Sequence, residues 1–279
     1  MIALDPGDDR YPAGLRDLAT PPRPLFVEGD LSALHARAVA IVGTRRMTGY
    51  GERVARELAA SLASSGVVVV SGLAQGIDSA AHRGALDAGG RTIAVLGESI
   101  PTFCRTVSGR RRPLVPRIRS AGALVSEYVA PLTPKPWTYV RRDATIAALA
   151  EAVVVVEAPA GSGALITAAD ARRLGRALYA VPGPLGSSAS VGTNALIARG
   201  EARALVSATD LRMVIGGDAP VGQAAATDPL VEALRDGPLG LDELARRIRV
   251  PLPVLSARVA TLLLRGVLVG QPDGRLRLA

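Results

Sequence analysis

Residues 152–169, AVVVVEAPAGSGALITAA, constrain this chain more than any other stretch. Residues 153–156 are four valines without polar alternation, which suits a central parallel strand covered on both faces. Such a strand needs helices above and below it, so the expected architecture is α/β, a doubly wound, mainly parallel sheet. Gly161 and Gly163 supply a permissive turn, Ser162 can cap the next helix, and residues 164–174, which include Thr167, read as that helix. A loop of this kind aims unpaired N–H groups and a helix dipole at its ligand, which favours an anionic oxygen, phosphate first.

Residues 67–78, VVVVSGLAQGID, repeat the design. Four valines run into Ser71-Gly72, then Gln75-Gly76 precede a helical pattern through Leu86. Two such loops at strand ends of one sheet are expected side by side, each serving one phosphate. Gly72 and Gly163 are expected to need positive φ or to let the backbone approach the ligand closely. Ordinary tight βα turns remain the plainer reading of each loop. Residues 38–42 form the first core strand, and Thr44, Arg45 and Arg46 leave the edge where both loops sit, within reach of the same phosphates.

The chain's 279 residues hold one α/β domain and a small module. No apolar run approaches the roughly 18–20 residues that span a bilayer, and the start MIALDPGDDRYP lacks a secretory pattern, so a cytoplasmic protein without membrane contact is expected. Cys104 is the only cysteine, and with His35 and His82 as the only histidines no metal centre is expected. His82 reads as a packed or capping residue.

The net charge of +8 is local. Residues 101–142 carry nine bases against the single acid Glu127, while the remaining chain balances 24 bases against 24 acids (33 − 9 and 25 − 1). That window includes Arg110, Arg111, Arg112, Lys135, Arg141 and Arg142, with Trp137 and Tyr139 among them in a chain with only 3% aromatics. A basic groove with stacking side chains is how single-stranded nucleic acid is held, and a solvated basic face is the bland alternative.

In chain order, residues 1–37 read as an N-terminal arm packed on a main domain over 38–215, with one short strand near 25–29. Residues 97–116 read as an irregular loop. Pro131, Pro134 and Pro136 are expected to hold an extended segment on which Trp137 and Tyr139 point to the same side. Residues 177–181, 193–198 and 204–206 continue as strand, helix and edge strand, for six or seven strands. A linker over 216–227 leads to residues 228–279, where three helical patterns and a hairpin around Asp273-Gly274 suggest a small C-terminal winged-helix domain. Its eight bases against six acids leave DNA contact, partner binding and regulation open.

These residues resemble the DNA-processing protein A (DprA/Smf) family of recombination mediators. The resemblance runs through Tyr11-Pro12, residues 21–29 and 39–45, SGLAQGID at 71–78 with Ala81-His82, Ser126-Glu127, Val156-Glu157-Ala158, SGALITA at 162–168, and Val181-Pro182-Gly183 with Gly192 and Asn194. It implies an extended Rossmann domain that binds single-stranded DNA, protects it and helps load the RecA recombinase in natural transformation or recombination, commonly as a homodimer. No catalysis and no cofactor are implied. The chain departs from the family pattern at Gly97-Glu98-Ser99, where Gly-x-Gly is usual, at 101–112, which lacks Tyr-Pro-x-x-Asn, and at Arg142-Asp143-Ala144, where Arg-Asn-Arg is usual. The added arginines Arg105, Arg110, Arg111 and Arg112 fall in the same stretch.

Two other classes fit the glycine loops in outline. One is a nucleotide-processing enzyme of the phosphoribohydrolase type with Glu157 as acid or base, although no second carboxylate stands at a recognisable spacing and a hydrogen-bonded strand-end acid explains Glu157 equally well. The other is a nucleotide sensor with the C-terminal module as output.

Overall fold

The structure, a computed structural model, describes residues 1–130, 132, 134–208, 230, 233–234, 237–248, 250, 252, 255–256, 259, 262–263, 268–271 and 273–278. The chain divides into two compact units, Met1–Ile215 and Gly216–Ala279.

The first unit is built on a nine-stranded sheet in the order β1-β2-β6-β5-β4-β3-β7-β8-β9. The strands are β1 Ile2–Leu4, β2 Leu25–Gly29, β3 Ala38–Val42, β4 Val68–Ser71 and β5 Thr92–Leu96, followed by β6 Ala123–Ser126, β7 Ala152–Val155, β8 Ala177–Ala180 and β9 Arg203–Ala204. From β6 through to β9 every neighbouring pair is parallel, while β1 pairs β2 and β2 pairs β6 antiparallel. The doubly wound α/β sheet stands. The expected six or seven strands are too few because residues 1–30 add two strands to the sheet itself.

Helices follow the strands as α1 Gly49–Ala63, α2 Ile77–Asp87, α3 Ile100–Thr106, α4 Leu114–Ala121, α5 Pro136–Ala148, α6 Ala164–Arg173 and α7 Val191–Ala198. Side chains of a strand alternate between faces, and β3 shows the consequence. Ala38, Ala40 and Val42 join the core beneath α5 and α6, with Ala147, Ala168 and Ala171. Val39 and Ile41 join the opposite core with Ala55, Leu58 and Ala81 of α1 and α2. Both faces are covered, which is why the valine runs need no polar alternation. A third core, with Leu96, Phe103, Leu114 and Ile118, lies beneath α3 and α4.

Two local expectations fail. Residues 97–116 are largely helical: Ser99 caps α3 by accepting from the Thr102 N–H at 3.4 Å, Pro101 lies in its first turn and Pro113 precedes α4. The prolines mark helix starts, where a missing N–H costs nothing. Pro136 likewise opens α5, with Lys135 N–H donating to Thr138 Oγ1 at 3.3 Å, so Trp137 and Tyr139 lie on a helix instead of an extended segment. At about 100° per residue they point to nearly opposite sides.

The second unit contains a helix, Leu241–Ile248, and an antiparallel hairpin of Leu268–Gly270 with Leu276–Leu278, extended by an isolated bridge from Leu239 to Leu276. Leu230, Leu244, Leu255, Val259, Leu268 and Leu276 share its core. The expected linker 216–227 lies outside the described residues, as do parts of the other two helical patterns. Among the described residues no helix is long and apolar enough to cross a membrane.

Candidate functional site

The winding of the sheet fixes where a ligand can sit. From β3 the chain moves outward through β4, β5 and β6, then returns to place β7 on the other side of β3. A crevice opens at the carboxyl end of β3, between loops that diverge to opposite faces. The two glycine loops are therefore not neighbours as expected from sequence, since β3 and its Gly43–Arg46 turn lie between them.

Three cavities run along this edge and share Arg45. The cleft at the β3–β7 switch encloses about 360 Å³ and is lined by Thr44, Arg45, Arg46, Tyr139, Asp143, Thr167 and the 159–164 loop with Gly161, Ser162 and Gly163. A second cavity of about 520 Å³ extends from Arg45 and Arg46 past Gln75, Gly76 and Arg83 to Arg110 and Arg111. A third, about 230 Å³, lies over the ends of β4 and β5, lined by Gly72, Gln75, Gly97, Glu98, Arg111 and Tyr139. Residues from positions 44 to 167 thus converge on one groove.

Backbone bonds hold the turns. Thr44 N–H donates to the Glu157 carbonyl at 2.7 Å and Ile77 N–H donates to the Thr44 carbonyl at 3.2 Å, which ties the β3 turn to both flanking loops. Gly76, at φ +89°, packs so tightly that a Cβ would stand 2.3 Å from that same Thr44 carbonyl. Arg45 lies 5.6 Å from the centre of the Tyr139 ring, and a Cβ on Gly97 would stand 2.5 Å from Tyr139 Cδ1. Gly97 is thereby explained by the ring packed on it. Arg111 rests 5.8 Å from the centre of the Phe103 ring, which keeps its charge over the second cavity.

Under the groove lies a buried charge cluster. Arg142 is only 5% exposed, with Nε 3.1 Å from Asp143 Oδ1, Nη1 4.0 Å from Asp78 Oδ2, and Nη1 donating to the Val95 carbonyl at 3.2 Å. A Cβ on Gly72 would fall 1.5 Å from Arg142 Nη1. Gly72 is glycine because a guanidinium fills its side-chain space, and its φ is not positive. Gly163 also has ordinary φ, −55°, and a Cβ there would meet nothing nearer than Asp143 Oδ2 at 3.9 Å. Only Gly161, φ +73°, has the left-handed backbone expected of this loop. Burial pushes the Asp143 carboxyl up to about 7, and burial likewise raises Asp78. His82 is fully buried beside them, its Nδ1 2.7 Å from Thr92 Oγ1, and burial lowers its pKa to about 3. It is a packed residue, as expected.

Several expected contact residues are placed elsewhere. Ser71 is buried and its hydroxyl donates to the Ile41 carbonyl at 2.6 Å. Arg141 pairs with Glu127 at 2.6 Å and lines a different cavity, with Asp17 and Arg173, on the far side of α5. Arg112, Lys135 and Trp137 are exposed but line none of the three cavities. Nor is the basic window as unbalanced as its sequence: Arg117 pairs with Asp87 at 2.8 Å and Arg119 with Glu28 at 3.0 Å, both acids from outside the window. Arg45, Arg46, Arg110 and Arg111 have no acid within ion-pair distance among the described residues, and all four face the groove. Sequence reasoning missed Arg83, four residues after Ser79 on the groove face of α2, and gave no role to Asp143, whose place in the cleft follows from the helical start of α5. Glu157 accepts from Thr48 N–H at 2.9 Å and Thr48 Oγ1 at 2.5 Å, a strand-end acid that holds Thr48, the N-cap of α1, in place.

Comparison with known proteins points the same way. Residues 3–216 match the family model described as DNA recombination-mediator protein A. Protein Smf of Escherichia coli is 36% identical over 99% of this chain and 77% of its own length. The putative DNA processing protein DprA of Mycobacterium tuberculosis is 40% identical over 90% of this chain, which spans 65% of that relative. Among solved structures, DNA processing protein A from Helicobacter pylori, described for its unique single-stranded DNA binding mode, superposes with a TM-score of 0.70 at 29% identity, covering 78% of this chain and 97% of that one. With a mainly parallel sheet, a strand-end groove and a family match over most of its length, this chain belongs to the DNA recombination-mediator protein A (DprA/Smf) family of DNA-processing proteins.

Proposed function

We propose that this chain binds single-stranded DNA along the carboxyl ends of β5, β4, β3 and β7, and acts as a recombination mediator that protects the strand and helps load RecA. One observation carries the reading: Arg45, Arg46, Arg110 and Arg111, free of acid partners among the described residues, converge on a single groove that also holds Tyr139. Unpaired guanidinium groups beside an aromatic ring suit backbone phosphates and a stacked base. The engagement of the Glu157 carboxylate by Thr48 supports binding over catalysis. The family resemblance extends the proposal to a homodimer, and the helix-plus-hairpin unit to a winged-helix domain over 228–279.

Salt dependence tests the electrostatic part. With about four phosphate contacts, log affinity for a single strand falls against log salt with a slope of roughly −3, at about −0.7 per contact. Arg46→Ala with Arg110→Ala brings the slope to roughly −1.5 on the same basis. An unchanged slope in the double variant would remove this groove from the interface. Light scattering with and without a strand tests the dimer, and RecA assembly on protein-coated strands tests loading.

A further inference from the structure

The groove is not uniform in charge. The second cavity is lined by Arg45, Arg46, Arg83, Arg110 and Arg111 and by no carboxylate. The switch-point cleft has Asp78 and Asp143 in its lining, with Asp170 close enough to Asp143 to raise its pKa further. The charged groups around Asp143 are Arg142 on its own helix, Asp78 from α2, Asp170 from α6 and Arg45 from the β3 turn. The buried floor thus sets the Arg142 guanidinium against Asp78 and Asp143, with Asp170 behind them paired to Arg173, while Arg45 and Arg46 stand at the rim. A phosphate is stable at the rim but not at the floor.

The geometry at the floor points to a donor ligand. Asp143 is only 9% exposed, and its Oδ1 faces Arg142 Nε at 3.1 Å. Its Oδ2 accepts no hydrogen bond from any described residue and lies toward Gly163, whose missing Cβ leaves that approach open at 3.9 Å. Oδ2 borders the cleft and is not among the buried orphaned atoms, so it is a solvent-reached acceptor at which a ligand N–H can take the place of water. Ile146 and Ile166 supply aliphatic wall, Tyr139 stands at the rim, and about 360 Å³ is room for one nucleotide.

We infer that this cleft holds a nucleobase at its floor and a phosphate at its rim, and that Asp143 Oδ2 selects amino-bearing bases by accepting an exocyclic N–H, so that cytosine is preferred to thymine. The inference rests on the single-strand reading above. Cytosine presents the N4 amino donor where thymine presents the O4 acceptor. An ionised Oδ2 attracts the first and repels the second. Asp143 becomes a specificity residue, and an asparagine at this place, with an amide that both donates and accepts, would not impose the same choice.

The test compares oligo-dC with oligo-dT of equal length by fluorescence anisotropy at about pH 8.5, above the Asp143 midpoint of about 7 and above the range where cytosine strands pair through protonated bases. Wild type is expected to bind oligo-dC about tenfold more tightly, the size of one hydrogen bond to a charged acceptor. Asp143→Asn should cut that ratio to roughly twofold or less, mainly by tightening oligo-dT, because the amide can donate to O4. Gly163→Ala, with a methyl group in front of Oδ2, should also reduce the ratio, and it answers the question if Asp143→Asn fails to fold. Arg46→Ala should weaken both strands by the same factor and leave the ratio intact. Equal binding of the two strands by wild type, or a ratio that survives both cleft variants, overturns the inference while the single-strand reading stands. No binding of either strand overturns that reading and the inference with it.

Discussion

The loops after β4 and β7 look alike in sequence, each with four valines, a small-residue turn and a helix, yet their glycines answer different demands. At Gly72 the missing side chain is replaced by the Arg142 guanidinium, so that loop is part of the interior. At Gly163 the space is open and the backbone is ordinary, so that loop is a lip over a cleft. The lesson is that a glycine before a helix marks either close packing or an approach route, and only the long-range partner tells which.

The sharpest break of this comparison is Gly72→Ala. Its methyl cannot coexist with Arg142 Nη1 at 1.5 Å, and expelling the guanidinium strands Asp78, Asp143 and the Val95 carbonyl. Breaking a buried charged cluster costs about 3–5 kcal/mol. Urea denaturation should show a loss of that order, and a variant as stable as wild type would mean that Arg142 does not occupy this space.

A smaller effect is pH-dependent. Asp143 has its folded pKa raised to about 7, so its contribution to stability is complete below its unfolded value of 3.8 and is lost as pH rises through about 7. His82 runs the other way: lowered to about 3 from 6.5, it contributes fully above 6.5 and loses that contribution as pH falls. Between these limits the two slopes oppose each other. Asp143→Asn removes one of them, so between about pH 5.5 and 7 the variant should gain up to about 2 kcal/mol relative to wild type, at about 1.4 kcal/mol per pH unit. Parallel stability curves for the two proteins would show that Asp143 titrates normally.

How far sequence goes is visible in these same residues. The valine strands and both loop-helix junctions are legible, because β-branched runs and glycine punctuation are local signals. The state of Arg142 is not, since one of its acids, Asp78, lies far away in the chain on a helix of the opposite face and meets it only at the carboxyl edge of the sheet. The same limit inflated the basic window, where Asp87 and Glu28 arrive from distant elements to pair with Arg117 and Arg119. Proline was misread for a local reason: Pro136 at a first helical turn and a proline in an extended linker look the same until the rest of the turn is seen.

Within the β7 loop the two glycines should respond with opposite signs. Gly161 sits at φ +73° in open space, so Gly161→Ala carries only the left-handed strain, about 1–2 kcal/mol of destabilisation. Gly163 has helical backbone and open space, so Gly163→Ala should stabilise by about 0.4–1 kcal/mol through the unfolded chain. Thermal melts of the pair decide this. A Gly163→Ala variant that melts lower than wild type would return that residue to the class of Gly72.

The smallest effect belongs to Trp137, on the same helix as Arg142 but outside the groove. Trp137 is 53% exposed and its ring meets Tyr128 edge-on, centroids 6.0 Å apart, while Tyr139 two residues on turns toward Arg45 and Gly97. Trp137→Ala removes one surface aromatic contact and should cost about 0.5 kcal/mol of stability. Strand affinity should stay within about twofold, well below the about 1–3 kcal/mol per base that a stacking ring supplies. Tyr139→Ala, by contrast, should lose affinity in that stacking range. Because Trp137 is the only tryptophan, its emission isolates the point: on addition of oligo-dT it should hardly change. Strong quenching, together with a loss of affinity in Trp137→Ala, would mean that the strand runs over the outer face of α5 and that the groove drawn through Arg45 is not its path.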